Sequence, residues 1–600
     1  MAHAQLEVIA AAFEAATHEM AASLVRTAFS PNIKERADCS TALCDAGGRA
    51  LSLMTNAPAH LGSTLRLVPA ILKRFPLDTL RPGDAFLAND PYIVGVTHLN
   101  DCTVATPIFD GGRLVAFAVA VAHHSDVGGR VPGSEAGDSV SIFQEGIRVP
   151  PVQIFAGGKR RADIVEMFLL NSRMPHYGEG DLMAQMASCA RGTARVQELF
   201  ARYGLETMLL RIDEMLDATE RRVRNRIRSE LKEGTYSAVD WLDEDGVSDQ
   251  RVRLAVTLTV KDGHLSLDLS DSSPQLGSGK NVPLTHSYAT AYFCLKSVVD
   301  PFVPTNEGLY RTVSITAPEG LVVNPVAPAA VSSRNMTSMI LAEAINNALG
   351  QAAPSRAVAA GGPGQGCISA GSDPQSRRYF INYENLAGGQ GARCSADGMD
   401  VVMINMTNTS NLPIEAMEVE FPVRIERYEL IPDSGGAGEY RGGLGVLRDM
   451  RVLADHASVS LRSARQRFPA TGLAGGRPGG LGAFIRNPGA GSETRLGLTT
   501  SGTPLANGDL LRVMTPGGGG YGDPSRRDPA AVRRDLVEGK ISAEAAREIY
   551  GYAGDECREK SFTAKDAQDA KENNSLNAKA AEDAKRDNNL QGNLGPPRQR

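Results

Sequence analysis

Residues 114–124 constrain the fold more than any other part of this 600-residue chain. Their sequence, LVAFAVAVAHH, is apolar up to the two final histidines. An unbroken apolar run of this kind is typical of a strand that is buried on both faces. Such a strand is a rigid element, and it presents His123 and His124 at its end, where side chains can converge on a site.

A second pattern, strict alternation, predicts a β-hairpin in the middle of the chain. The apolar members are Val252, Leu254, Val256, Leu258 and Val260, followed after Asp262-Gly263 by Leu265, Leu267 and Leu269. Two period-2 runs around an Asp-Gly turn are a strong hairpin signal.

Helical spacing predicts several helices. Apolar residues at helical spacing in the first 30 residues indicate an amphipathic first helix rather than a signal peptide or a membrane span: Leu6, Ile9, Phe13, Met20 and Leu24. Further helices are expected at 164–175, 206–232, 281–300 and 334–350. From about 415 to 520 the chain shows short strands with frequent glycine.

These elements predict a multidomain α+β (mixed α/β) protein with a β-rich C-terminal domain. The expected divisions are an N-terminal α/β metal-site domain at 1–230, a central α+β domain at 231–414, the β-rich domain at 415–527, a short helical extension at 528–554 and a tail at 555–600. The tail has few large apolar residues, so disorder is expected there.

Composition narrows the classes of partner. The net charge of −6 and the single tryptophan give no reason to expect nucleic acid or an anionic membrane as partner. None of the eight cysteines forms a C-x-x-C pair, which indicates reduced thiols in a cytoplasmic protein.

Histidines and carboxylates cluster near the N-terminus and predict a metal site. They lie in the segments KERADCSTAL, NDPYIVGVTHLND and VAHHSDVGG. Imidazole with carboxylate suits one divalent Zn, Mn or Fe ion. The expected ligands are Asp38, His98, Asp101 and either His123 or His124, since adjacent strand residues point to opposite faces. The other histidine is then a candidate for substrate orientation or acid–base catalysis, with Asp126 as its orienting carboxylate.

A nucleotide site is not expected in this chain. Gly277-Ser278-Gly279-Lys280-Asn281 lacks the spacing of a phosphate-binding loop, and the glycine-rich stretches at 361–366 and 517–520 lack a lysine.

Long motifs in this sequence resemble the hydantoinase B family. They include IKERADCSTALCDAGGRAL, FLANDPYIVGVTHLNDCTVATPIF, AHHSDVGGRVPGS, EGIRVPPVQIF, DPFVPTNEGLYR and TPGGGGYGDPSRRD. The resemblance extends over about residues 3–527, in order and without large gaps.

This resemblance implies a partner and a division of labour. Members include the B-type components of ATP-dependent hydantoinases and lactamases, the C-terminal half of 5-oxoprolinase, and subunits of acetone and acetophenone carboxylases. It implies a hydantoinase A-type subunit that binds ATP with Mg²⁺ and phosphorylates the substrate. It also implies metal ligands at Asp38, His98, Asp101 and, by the spacing in carboxylase members, His123. His124 is then the acid–base candidate.

The sequence therefore predicts one subunit of an ATP-dependent amidohydrolase that acts on a small cyclic amide. One alternative is a subunit of a ketone carboxylase, which would use the same ligands. A second alternative is a non-catalytic scaffold subunit.

Overall fold

The computed structural model describes residues 2–554, so the predicted tail at 555–600 lies outside the described residues. The chain divides into a compact unit, Met1–Arg527, and a second unit that begins at Asp528. The fold is mixed α+β with several sheets, as predicted.

The helices of the described chain are α1 (Ala2–Thr27), α2 (Pro31–Lys34), α3 (Leu67–Arg74), α4 (Ala162–Leu170), α5 (Pro175–Tyr203), α6 (Leu205–Glu230), α7 (Leu284–Val299), α8 (Glu307–Tyr310), α9 (Arg334–Ala352), α10 (Ile414–Glu420), α11 (Pro529–Val537) and α12 (Ala543–Glu548).

The strands are β1 (Cys39–Asp45), β2 (Ala50–Thr55), β3 (Ala85–Ala88), β4 (Asp101–Asp110), β5 (Arg113–His123), β6 (Val152–Ala156), β7 (Lys159–Arg160), β8 (Gly234–Leu242), β9 (Val252–Lys261), β10 (His264–Asp268), β11 (Val313–Thr316), β12 (Gln365–Ser372), β13 (Tyr379–Leu386), β14 (Val423–Leu430), β15 (Val446–Val452), β16 (Asp455–Arg462), β17 (Ala483–Arg486), β18 (Thr494–Leu496), β19 (Thr499–Leu505) and β20 (Leu510–Met514).

The predicted buried strand is β5, an interior strand of an antiparallel sheet of order β2-β1-β5-β4-β3-β6-β7. One face of β5 packs in a core shared with α1 and α5 through Ala116, Ala118, Ala120 and Ala122. The other face packs in a core shared with β9, α7 and α9 through Phe117, Val119 and Val121. Because both faces of β5 are buried, neither of the two alternating sets of side chains meets water. This explains the unbroken apolar run.

The predicted hairpin is confirmed as β9 and β10. The two strands pair antiparallel from Lys261 opposite His264 to Thr257 opposite Asp268. The turn residues Asp262 and Gly263 both have positive φ, of 52° and 72°, as a two-residue hairpin turn of the I′ kind requires.

The first helix, α1, is amphipathic as predicted. Gln5–Thr27 is long and apolar enough to cross a membrane by length and composition alone. Its apolar face is nevertheless buried in the core that it shares with α5, and four of its side chains are fully buried: Ile9, Phe13, Met20 and Leu24. That face is therefore accounted for by packing within the protein.

Of the other predicted helices, 206–232, 281–300 and 334–350 correspond to α6, α7 and α9. The helix predicted at 164–175 begins as α4 but ends at Leu170, and α5 begins at Pro175. Proline restricts the backbone of the preceding residue, which favours a helix boundary there.

Two further antiparallel sheets form the β-rich part, of order β13-β12-β16-β19 and β14-β15-β20-β17-β18. The first sheet takes β12 and β13 from the segment before residue 414 and β16 and β19 from the segment after it. The domain boundaries named above stay predictions.

The glycine-rich stretches pack backbone against backbone. Gly518 N donates to Gly443 O at 2.9 Å, and Gly443 N donates to Gln390 O at 2.7 Å. A Cβ on Gly518 would lie 2.1 Å from the Gln390 carbonyl oxygen, and a Cβ on Gly389 would lie 1.9 Å from the Gly443 carbonyl oxygen. Only glycine allows carbonyl groups to approach this closely, so these glycines have a structural role.

We expect Gly518→Ala to destabilise the protein, because the added methyl group would displace main-chain atoms. Overpacking of this kind costs about 1–3 kcal/mol and sometimes more. The melting temperature should fall by about 1–3 °C in a thermal scan, because the unfolding entropy of a chain this long is large. Gly491→Ala is the matched control, since a Cβ there meets nothing within 4 Å. Equal melting temperatures for the two variants would contradict this account.

Every cysteine of the described chain is a free thiol, and six of the seven are buried. The remaining one in the sequence, Cys557, lies outside the described residues. This agrees with the prediction of reduced thiols.

Candidate metal centre

The topology of the sheet brings the predicted ligands to one end of three neighbouring strands. Asp101 is the first residue of β4 and is paired directly with His123, the last residue of β5. Asp38 immediately precedes β1, and its carbonyl oxygen accepts a hydrogen bond from His123 N at 3.0 Å. Because the strands are antiparallel, the end of β5 lies beside the beginnings of β1 and β4. His98 lies in the loop just before β4.

The donor atoms are close together and buried. His98 Nε2 lies 3.3 Å from Asp101 Oδ1, and His98 Nδ1 lies 3.1 Å from Glu135 Oε1. His123 Nε2 lies 3.7 Å from the same Glu135 oxygen. His98, His123 and Glu135 each offer one atom within 4.8 Å of the others, which is suitable for a shared metal ion. Asp38 is nearer the rim, with 15 % of its side chain exposed.

Several of these atoms lack a hydrogen-bond partner. Both ring nitrogens of His98, Asp101 Oδ1 and His123 Nε2 are buried, and none of their close contacts has hydrogen-bond geometry. Unpartnered buried polar atoms are costly. A divalent cation would satisfy them, and two imidazoles with carboxylates form a donor set typical of Zn, Mn or Fe. The residues therefore fit the predicted metal.

The protonation states also suit metal binding. Burial and the nearby Arg334 hold the pKa of His98 well below its usual value, and burial also lowers the pKa of His123. Burial alone would raise the pKa of Asp101, but His98 and His60 outweigh it and the pKa is held well below its usual range. Neutral imidazole and ionised carboxylate are the forms that bind a metal.

Glu135 is a site residue that the sequence analysis missed. Its carboxylate accepts a hydrogen bond from Tyr383 Oη at 2.8 Å and pairs with Arg334 Nη1 at 3.2 Å and with Arg462. Glu135 is the first acidic residue after Asp126 in the sequence, so it could have been considered as a ligand. No local pattern connects it with Tyr383 on β13 or Arg462 on β16, which come from the β-rich part.

His60 is a second residue that the sequence analysis missed. Its Nε2 lies 3.5 Å from Asp101 Oδ1 and 4.0 Å from Asp38 Oδ1, and its Nδ1 lies 2.9 Å from Ser40 Oγ. It therefore stands between two predicted ligands, one of them at the rim.

The two predicted catalytic residues are not brought together. His124 Nε2 lies 3.0 Å from Gln185 Oε1 on α5, and its ring meets Phe168 edge-on. Asp126 instead accepts hydrogen bonds from Gly133 N at 3.0 Å and from Arg173 N at 2.8 Å. These hydrogen bonds hold the loop between Asp126 and Glu135 in place. They give no support for a role of Asp126 in orienting His124.

The centre is a buried cluster of polar side chains with donor atoms for one divalent ion. An ion held there with an open position could activate a water molecule or polarise a carbonyl oxygen.

Two known bacterial proteins are similar to this chain over most of its length. The beta chain of the caprolactamase of Pseudomonas jessenii is 34% identical over 561 residues, covering 91% of this chain and 95% of that protein. The B component of a putative D-/L-hydantoinase of Pseudomonas sp. (strain NS671) is 31% identical, covering 91% and 94%.

Solved structures give the same picture. The ATP-dependent caprolactamase from Pseudomonas jessenii matches with a TM-score of 0.85 at 30% identity, covering 94% of this chain and 98% of that chain. A nucleotide-free acetone carboxylase matches with a TM-score of 0.84 at 20% identity, covering 98% and 86%, which shows a shared fold. The model of the Hydantoinase B/oxoprolinase family matches residues 2–524. The chain therefore belongs to the Hydantoinase B/oxoprolinase family.

Proposed function

We propose that this chain is the metal-binding B-type subunit of an ATP-dependent cyclic amide hydrolase. The observation that carries the proposal is the buried cluster of His98, Asp101 and His123, whose unpartnered donor atoms lie beside Glu135 and fit one divalent ion. Relatives named as components of caprolactamase and hydantoinase support the choice of substrate class. Their names, which denote one chain of several, also support a partner, which we take to be an A-type subunit that binds ATP with Mg²⁺.

The reaction needs activation because an amide carbonyl is a poor electrophile. Phosphorylation of the carbonyl oxygen in the partner removes donation from nitrogen and creates a leaving group. A divalent ion, when bound at the site, supplies Lewis acidity and lowers the pKa of a coordinated water. The activated ring would then be opened in this subunit.

The residues of this chain would bind the metal ion and shield the reacting group from bulk water. His98, Asp101, His123 and, from the rim, Asp38 would bind the ion, with Glu135 within reach as a further ligand. Arg334 and Arg462 pair with Glu135, which limits the charge that burial leaves uncompensated. Ligands that are almost fully buried keep bulk water away from the reacting group.

The catalytic roles of His124 and Asp126 stay predictions, because Nε2 of His124 already meets Gln185. We place the complex in the cytoplasm, as the free thiols suggest.

The test is an ATP hydrolysis screen with the chain reconstituted with an A-type subunit. Substrates are hydantoins, lactams and 5-oxoproline, with acetone and acetophenone as ketones, each with and without bicarbonate. We expect ATP hydrolysis coupled to ring opening of a cyclic amide and independent of bicarbonate. Turnover that requires a ketone and bicarbonate would replace the proposal by the carboxylase, and no stimulation by any substrate would favour the scaffold.

A further inference from the structure

The beginning of helix α7 carries buried polar groups that the proposed metal site does not use. Thr285 and His286 are the second and third residues of the helix and are 3% and 1% exposed. Thr285 Oγ1 and both ring nitrogens of His286 have no hydrogen-bond partner. Leaving three such atoms unpaired inside a protein is costly, so they call for a bound group.

The start of α7 packs against the two loops that carry His98 and His60. A Cβ on Gly95, three residues before His98, would lie 2.8 Å from Thr285 Cγ2. A Cβ on Gly62, two residues after His60, would lie 1.9 Å from Thr285 O. His286 also lies within electrostatic range of Arg334, Asp101 and His60. The start of α7 therefore borders the metal centre.

Helix α9 also begins beside the metal centre with unpartnered groups. It starts at Arg334, whose Nε donates to Thr97 Oγ1 at 2.9 Å and whose Nη2 lies 3.8 Å from Asp101 Oδ2. Ser333 and Asn335, on either side of Arg334, are buried, and Ser333 Oγ and Asn335 Oδ1 have no partner. A helix N-terminus favours a negative group, because its N–H groups and dipole are positive there.

The charge of the centre depends on the metal. The charged side chains of the metal centre are two arginines, Arg334 and Arg462, and three carboxylates, Asp38, Asp101 and Glu135. This set is one negative charge in excess, and a bound divalent ion would leave it one positive charge in excess. Burial lowers the pKa of His286 to about 3, so this residue is neutral and contributes hydrogen bonds only.

We propose that Thr285, His286 and the N-terminus of α7, together with Arg334, form an oxyanion subsite that holds the phosphoryl group of the activated substrate beside the metal. This inference rests on the proposed function, which supplies the phosphoryl group. A substrate carboxylate has related oxyanion chemistry. The phosphoryl group is favoured because hydroxyl, imidazole and guanidinium donors at different places suit a tetrahedral group with three free oxygens better than a planar one.

The test measures binding of inorganic phosphate to the metal-loaded full chain by calorimetry, with acetate in a parallel titration. Thr285→Val removes the hydroxyl without changing the shape of the side chain, and we expect phosphate affinity to fall about tenfold or more, as for loss of a hydrogen bond to a charged group. Thr285→Ser keeps the hydroxyl and should bind like the unmodified chain. His286→Leu is the second variant and should weaken phosphate binding by a similar factor.

The matched control is Thr106→Val, the same change on β4 about 16 Å along the strand from Asp101, which should leave phosphate affinity unchanged. Because the Thr285 hydroxyl has no partner, Thr285→Val should also leave metal content and the melting temperature unchanged or raised. Equal phosphate affinity in Thr285→Val and the unmodified chain would show that ordered water alone meets these atoms and would overturn the subsite.

Tighter binding of acetate than of phosphate would overturn the phosphoryl assignment. Neither titration uses ATP, the partner or a cyclic amide, so failure of the proposed function would be seen separately, in the hydrolysis screen.

Discussion

His98→Ala is expected to abolish turnover of the reconstituted complex and to remove most of the bound metal. Residues that only support a metal ligand already cost about 10–100-fold when they are changed, so loss of a ligand should cost at least as much. Folding should survive, because both ring nitrogens of His98 lack hydrogen bonds that the change could break. Elemental analysis of the unmodified chain should find about one divalent ion per chain, and the variant well below that.

Asp101→Asn is the companion variant, because it keeps the shape of the side chain and removes its charge. It should lower metal content and activity with little change in melting temperature. His18→Ala, at an exposed histidine of α1, is the control and should leave metal content and activity unchanged. Full metal content and activity in either site variant would exclude that residue from the site. Absence of Zn, Mn and Fe from an active unmodified preparation would contradict the whole metal assignment.

The isolated chain is expected neither to bind ATP tightly nor to open a cyclic amide. The physical reason is visible at Gly277-Ser278-Gly279-Lys280-Asn281, the stretch that looks most like part of a phosphate-binding loop. Lys280 is 1% exposed, and its Nζ meets Glu244 O at 3.2 Å and Glu244 Oε1 at 3.7 Å. A lysine held in this way is not available to nucleotide phosphates.

Calorimetry with Mg-ATP should therefore show no binding by the isolated chain tighter than about 1 mM. An A-type subunit on its own serves as the positive control for nucleotide binding. Mixing the two should produce ring opening that neither gives alone. Micromolar ATP binding by the isolated chain would refute the division of labour between the two subunits.

Local sequence patterns predicted much of the secondary structure. The apolar run became β5 and the alternating runs became β9 and β10, because side-chain periodicity reports directly which faces are covered. The helix predicted at 164–175 was too long, since the break before Pro175 was not recognised. Family membership could also be recognised from the sequence, because the motifs are long and in order.

For the candidate site, the sequence by itself determined which chemical groups are present: imidazole and carboxylate side chains at His98, Asp101 and His123, close to strand ends. Their short separation along the chain limits how far apart they can lie.

Only the tertiary structure decided what surrounds them. The structure adds Glu135, with Tyr383 and Arg462 from strands more than 200 residues further along the chain, and it turns His124 towards Gln185 rather than Asp126. The physical reason is that pairing between β-strands distant in sequence and packing between helices leave no periodic signal at single polar residues. A carboxylate such as Glu135 becomes part of the site only when the fold buries it next to arginine side chains.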